Sequence, residues 1–74
     1  LNYKFDIVFL DPPFNDLNIK IILKNLADHK IVNSETLVII HRYKKTIDNL
    51  DSRFEIIRQE IYGSSKIIFG FFNF

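Results

Sequence analysis

The segment Phe5–Phe14, FDIVFLDPPF, constrains this chain more than any other. After Asp6 it runs apolar and rich in strand formers to Leu10. Because it does not alternate, both of its faces are expected to be buried, as in a central parallel strand. Asp11-Pro12-Pro13 then ends it, since proline has no N–H for a sheet ladder and the residue before a proline is held extended. A buried strand closed by a stiff, acceptor-rich loop is the entrance to an α/β sheet, where ligands bind outside the carboxyl ends of the strands.

The rest of the chain fits such a sheet. Asn15 or Asp16 is a plausible helix cap, and from Ile19 the apolar residues Ile22, Leu23, Leu26 and Ala27 follow at helical spacing, with Lys20, Lys24 and Asp28 on the opposite face. The spacing predicts a helix to about His29. Asn33-Ser34 marks a turn, and Thr36–Ile40 (TLVII) is a second buried strand. His41–Ser52 is polar and basic and reads as a loop with at most one helical turn. Phe54–Ile61 and Lys66–Phe72 read as two strands joined through Tyr62-Gly63-Ser64-Ser65, a hairpin turn with glycine at positive φ. The expected order is a βαβ unit followed by an antiparallel hairpin.

Composition narrows the function. A chain of 74 residues makes a small domain with a marginal core, and without cysteine no disulfide reinforces it. Thiol catalysis and thiolate zinc sites are excluded, and a cytoplasmic protein is the expectation. No basic segment followed by a long apolar run opens the chain, and its longest apolar runs fall far short of the roughly 20 residues that span a bilayer. A net charge of +1 gives no global attraction to nucleic acid, so RNA contact must come from local patches or from segments outside this sequence. The chain starts at Leu1 rather than at methionine, and a partial domain over residues 1–74 is the expectation.

The chemistry concentrates in Asp11-Pro12-Pro13-Phe14. The Pro12 carbonyl and the Asp11 carboxylate are two acceptors, and Phe14 adds a flat apolar face. Two acceptors converging beside an aromatic plate suit an exocyclic amine on a stacked planar base. Accepting both N–H bonds turns the amine lone pair towards a methyl donor. Alone, an Asp-Pro-Pro-aromatic string occurs often by chance; its place between a buried strand and a capped helix is what supports it.

FDIVFLDPPF resembles the fourth motif of the amino-group methyltransferases. More narrowly, nearly all 74 residues resemble the bacterial 16S rRNA guanine-N(2) methyltransferases of the small ribosomal subunit, through Phe5–Phe14, the helix, Thr36–Ile40, and Ile57–Phe72 with Tyr62-Gly63. The resemblance implies the C-terminal half of a Rossmann-like, S-adenosyl-L-methionine-dependent methyltransferase sheet. It implies that Asp11, Pro12, Pro13 and Phe14 are catalytic, with Asp11 also bordering the cofactor and Phe14 stacking on the base. It further implies 16S rRNA in the small subunit as partner. The family's glycine-rich cofactor loop and its ribose-binding acid are not in this chain, whose two glycines are Gly63 and Gly70. A missing N-terminal half is therefore an expected partner, and the chain alone is expected to be inactive. Where the family often carries an acid after the second strand, this chain has His41. The alternatives are a fragment of a DNA adenine amino-methyltransferase, which shares the motif, and a non-enzymatic remnant or interaction module.

His41, Arg42, Lys44 and Lys45 form a basic cluster on the same edge as the motif, able to meet RNA phosphates but more simply read as a solvated loop. His29 sits where it favours the helix dipole. Two histidines without clustered carboxylates do not make a metal site. Phe69, Phe71, Phe72 and Phe74 read as sheet packing, some of it against a missing half, and the edge left by missing strands is a predicted aggregation liability.

Overall fold

The computed structural model describes residues 7–11, 19–46 and 50–74. In chain order these form β1 (Ile7–Leu10), α1 (Ile19–Asp28), β2 (Leu37–Tyr43), β3 (Phe54–Tyr62) and β4 (Ser65–Phe72). The strands make one sheet in the order β1-β2-β4-β3. β1 and β2 are parallel, while β4 runs antiparallel to both of its neighbours, β2 and β3. The expected βαβ unit and closing hairpin are both present. The expected helix cap, Asn15 or Asp16, lies outside the described residues.

The period-two pattern of β2 and β4 divides the sheet into two faces. The inner face carries Val38, Ile40, Ile68 and Phe72, and α1 lays Ile19, Leu23 and Ala27 on it; with Val32 and Phe54 these side chains form the buried core. Each apolar side chain so buried contributes about 1.5–3 kcal/mol. Phe54 meets Phe72 edge-to-face with ring centroids 5.5 Å apart. Gly70 lets β3 and Phe54 approach closely, for a Cβ there would lie 2.5 Å from the Glu55 carbonyl oxygen and 2.5 Å from Phe54 Cζ. One residue further along β3 the ladder slips, with Ile56 facing Gly70 and Arg58 facing Phe69, so Ile57 is the extra residue of a bulge.

α1 ends in a Schellman motif. The Ile31 N–H donates to the Leu26 carbonyl and the Lys30 N–H to the Ala27 carbonyl, both at 3.2 Å. Lys30 takes the left-handed conformation usually left to glycine, φ 56°. His29 donates twice to the Asn25 carbonyl, from its backbone N–H at 3.0 Å and from Nδ1–H at 2.9 Å. From the turn just before β3, Arg53 reaches back to this end: it grips Asp51 through Nε and Nη2 at 3.0 and 3.1 Å and Asp28 through Nη1 at 3.1 Å.

Two expectations are corrected. β1 is not buried on both faces among the described residues: it is an edge strand, and Ile7 and Phe9 are 61% and 60% exposed on the outer face. Leu37, Ile39, Ile67, Phe69 and Phe71 continue that face half-buried. The segment expected to begin a loop at His41 instead extends β2 to Tyr43, because His41, Arg42 and Tyr43 pair with Ile67, Lys66 and Ser65. The basic cluster is broken up as a result: Arg42, 1% exposed, turns to the inner face and only Lys44 and Lys45 remain in solvent. The Gly63-Ser64 turn forms as expected, with Gly63 at φ 56° and no positive φ at Ser64, the pattern of a II′ hairpin.

Candidate functional site

The candidate site lies at the carboxyl end of β1 and is built by register. β1 and β2 run parallel with Leu10 beside Ile40, so the next residues, Asp11 and His41, emerge together. In β4, Ile67 faces His41 and Ser65 faces Tyr43, which puts Ser65 diagonal to His41 on the outer face. Their side chains meet: His41 Nδ1 lies 2.8 Å from Asp11 Oδ1, and His41 Nε2 lies 2.9 Å from Ser65 Oγ. An ionised carboxylate only accepts, so the imidazole proton sits on Nδ1 and donates to Asp11; in the neutral ring Nε2 then accepts from the Ser65 hydroxyl.

The three residues differ in exposure. The Asp11 side chain is 62% exposed and that of His41 35%, while Ser65 is half-buried. No described residue bonds the second carboxylate oxygen of Asp11. Beside these three side chains, His41, Arg42, Tyr43, Ser64 and Ser65 line a small cleft of about 180 Å³. A larger hollow of about 360 Å³ lies elsewhere, lined by the end of α1, Arg53 and Phe74, without the motif residues.

Of the residues expected to act, Asp11 stands exposed at the mouth of the sheet, whereas Pro12, Pro13 and Phe14 lie outside the described residues. Sequence reasoning missed Ser65, taken as part of a turn, and left His41 in a loop. The distance of 24 residues between them carries no local pattern. The glycines hold no cofactor loop: Gly63 makes the hairpin turn and Gly70 admits Phe54. Among the described residues no three His, Cys, Asp or Glu side chains gather as metal ligands, and no helix is long and apolar enough to cross a membrane.

This sheet, with an antiparallel strand set between a parallel pair and an outer strand, is the carboxyl half of a Rossmann-like methyltransferase sheet. A solved conserved hypothetical protein of Streptococcus pyogenes superposes on 99% of the chain with a TM-score of 0.84 at 27% identity. A Haemophilus influenzae protein described as a methylase covers 95% at TM-score 0.79 and 18% identity, and an Escherichia coli protein described as a methyltransferase covers 92% at 0.73 and 19%, likenesses of fold alone. An uncharacterized methylase of Rickettsia prowazekii is 36% identical over 67 residues, 90% of this chain. The chain belongs to the family described as conserved hypothetical protein 95, whose model matches residues 1–71, and this is a methylase family. It spans 28% of the Rickettsia relative and 46%, 44% and 37% of the three solved chains.

Proposed function

We propose that this chain is the base-binding half of an S-adenosyl-L-methionine-dependent RNA methyltransferase that modifies the exocyclic amine of a guanine in 16S rRNA. The observation that carries the reading is Asp11. It is an exposed carboxylate at the carboxyl end of a parallel strand, with one oxygen held by His41 and the other unbonded among the described residues. Pro12 contributes a carbonyl acceptor and Phe14 an aromatic face in the same motif.

In this reading the chain's own residues bind and orient. Asp11 Oδ2 and the Pro12 carbonyl accept the two amine hydrogens, which fixes the nitrogen lone pair on the side away from them. Phe14 stacks on the base and sets its plane. No general base is required, because the amine nitrogen loses its proton to water once the new N–CH₃ bond has formed. S-adenosyl-L-methionine, when bound, supplies an electrophilic methyl group. Of its site this reading assigns Asp11, and with both glycines engaged in the fold the chain does not hold the cofactor by itself. An amino-terminal half provides the remainder and covers the outer face of the sheet. The site is cytoplasmic, where ribosomal subunits are assembled.

Calorimetric titration of S-adenosyl-L-methionine into the 74-residue chain, with Asp11→Ala as control, tests the division of the site. No heat is expected from either. Adding the amino-terminal half of the Rickettsia methylase restores binding and permits transfer of labelled methyl to guanine in 16S rRNA, and Asp11→Ala abolishes the transfer. Micromolar binding by the chain alone, weakened in Asp11→Ala, refutes the half-site reading. Label on DNA adenine instead of rRNA guanine moves the assignment to a DNA amino-methyltransferase.

A further inference from the structure

We propose that His41 is a positioning residue for Asp11, and that Ser65 is the fixed end of a three-strand relay, Ser65–His41–Asp11, that orients the carboxylate. The relay rests on the contacts of 2.9 and 2.8 Å; its use in catalysis rests on the reading of Asp11 as the acceptor for an amine.

Ser65 is the most constrained of the three. It opens β4 directly after a two-residue turn and is paired on both sides, with Tyr62 of β3 and Tyr43 of β2. A short side chain on a backbone held from both sides gives its hydroxyl few places to point. His41 lies one strand over and takes that hydroxyl at Nε2, which sets the ring; the ring in turn presents Nδ1–H to Asp11. Asp11 is the least constrained, 62% exposed at the last described position before the motif prolines. Left to itself, a side chain so exposed samples several staggered rotamers. Tying Oδ1 to His41 selects one of them and leaves Oδ2 for the substrate.

Ser, His and Asp in this order also describe a nucleophilic triad, but the exposures run the other way. A triad buries its acid and presents its serine to substrate. Here the acid faces solvent and the serine is rooted in the sheet. The relay therefore carries order outward, to the carboxylate.

The experiment reads the Asp11 side chain directly, by measuring its Hα–Hβ couplings in the 74-residue chain, with the amide spectrum of β2 and β4 as the check of fold. One dominant χ1 rotamer is expected in the native chain and in His41→Gln, whose amide can donate to Asp11 and accept from Ser65. In His41→Leu and in Ser65→Ala the couplings are expected to average towards equal occupancy of the three staggered wells. Serine to alanine at 65 removes only a hydroxyl and keeps the relay testable should His41→Leu fail to fold. Rotamer averaging already present in the native chain, or a single rotamer kept in Ser65→Ala, overturns the proposal. In the assembled enzyme, losing one held side chain lowers kcat about threefold to tenfold in His41→Leu, with recovery in His41→Gln. Absence of methyl transfer by an assembly whose Asp11 is held in one rotamer counts against the amine reading and leaves the relay standing.

Discussion

The two glycines allow one substitution to be tested against the other. At Gly70 a methyl group would lie 2.5 Å from the Glu55 carbonyl oxygen and 2.5 Å from Phe54 Cζ. Carbon and oxygen tolerate about 3.3 Å, so a backbone oxygen in the β3–β4 ladder must retreat by about 0.8 Å. Two carbon atoms prefer about 3.5 Å or more, so the Phe54 ring must retreat by about 1 Å, and it is already set edge-on against Phe72. Overpacking costs about 1–3 kcal/mol, and with backbone and ring both obliged to move the upper part of that range applies. Alanine returns about 0.4–1 kcal/mol by restricting the unfolded chain. Gly70→Ala should therefore destabilise by about 1–2.5 kcal/mol net, lowering the melting temperature by roughly 4–20 °C in a domain of this size. At Gly63 a Cβ meets nothing within 4 Å, and the cost arises only from φ +56°. Gly63→Ala should cost about 1–2 kcal/mol. D-alanine at 63, introduced by chemical synthesis, should be neutral or stabilising by up to about 1 kcal/mol. Urea denaturation followed by far-ultraviolet circular dichroism measures all three. A Gly70→Ala midpoint equal to that of the native chain, or equal losses from L- and D-alanine at 63, would refute the reasoning.

Other perturbations follow from the same structure. Lys30→Gly removes a left-handed lysine from the Schellman motif and should stabilise by about 1 kcal/mol, read as a higher urea midpoint with unchanged slope. Arg53→Met leaves the Asp51 carboxylate, only 7% exposed, without its bidentate partner and should lower the urea midpoint. Asp51 is held below the ordinary carboxylate range chiefly by its hydrogen bond from Arg53, and Asp28 by Lys24 and then Arg53. A carboxylate depressed in the folded state gives stability that is present above its unfolded pKa, about 4, and lost as pH falls through the folded value. The urea midpoint should thus drop below about pH 4, and drop less steeply in Arg53→Met; an equal acid dependence in the two proteins would exclude the cluster as its source. Phe9→Lys should raise the solubility of the isolated chain with little change in stability, because that side chain is 60% exposed on an uncovered face. A soluble, monomeric native chain with a cooperative melt would show that the open face is no liability.

Much of the fold was legible because it is written in short-range patterns. The apolar run before Asp11, the helical spacing from Ile19, and Gly63 between two strand-forming segments each point to one local conformation, and each is found. What escaped depends on partners far along the chain. His41-Arg42-Tyr43 is too polar to read as strand until β4 supplies the ladder, and Arg42 reads as exposed until its parity with Val38 and Ile40 places it on the inner face. Lys30 gives no glycine-like sign of a left-handed turn; the helix end imposes it. At the site, Asp11 was visible in its motif, while its contact with His41 and Ser65 is a product of the register of three strands, which no window of the sequence contains.

The place of β4 has a consequence for how this sheet is made. The last of the described strands in chain order is an interior strand, and among the described residues it is what joins β3 to β2. Until Ser65–Phe72 is in place, β3 has no neighbour among the described strands, whose pairing is then confined to β1 and β2. Assembly of these four strands therefore waits on residues 65–72, and a cut within them would split the sheet through the middle rather than trim its edge.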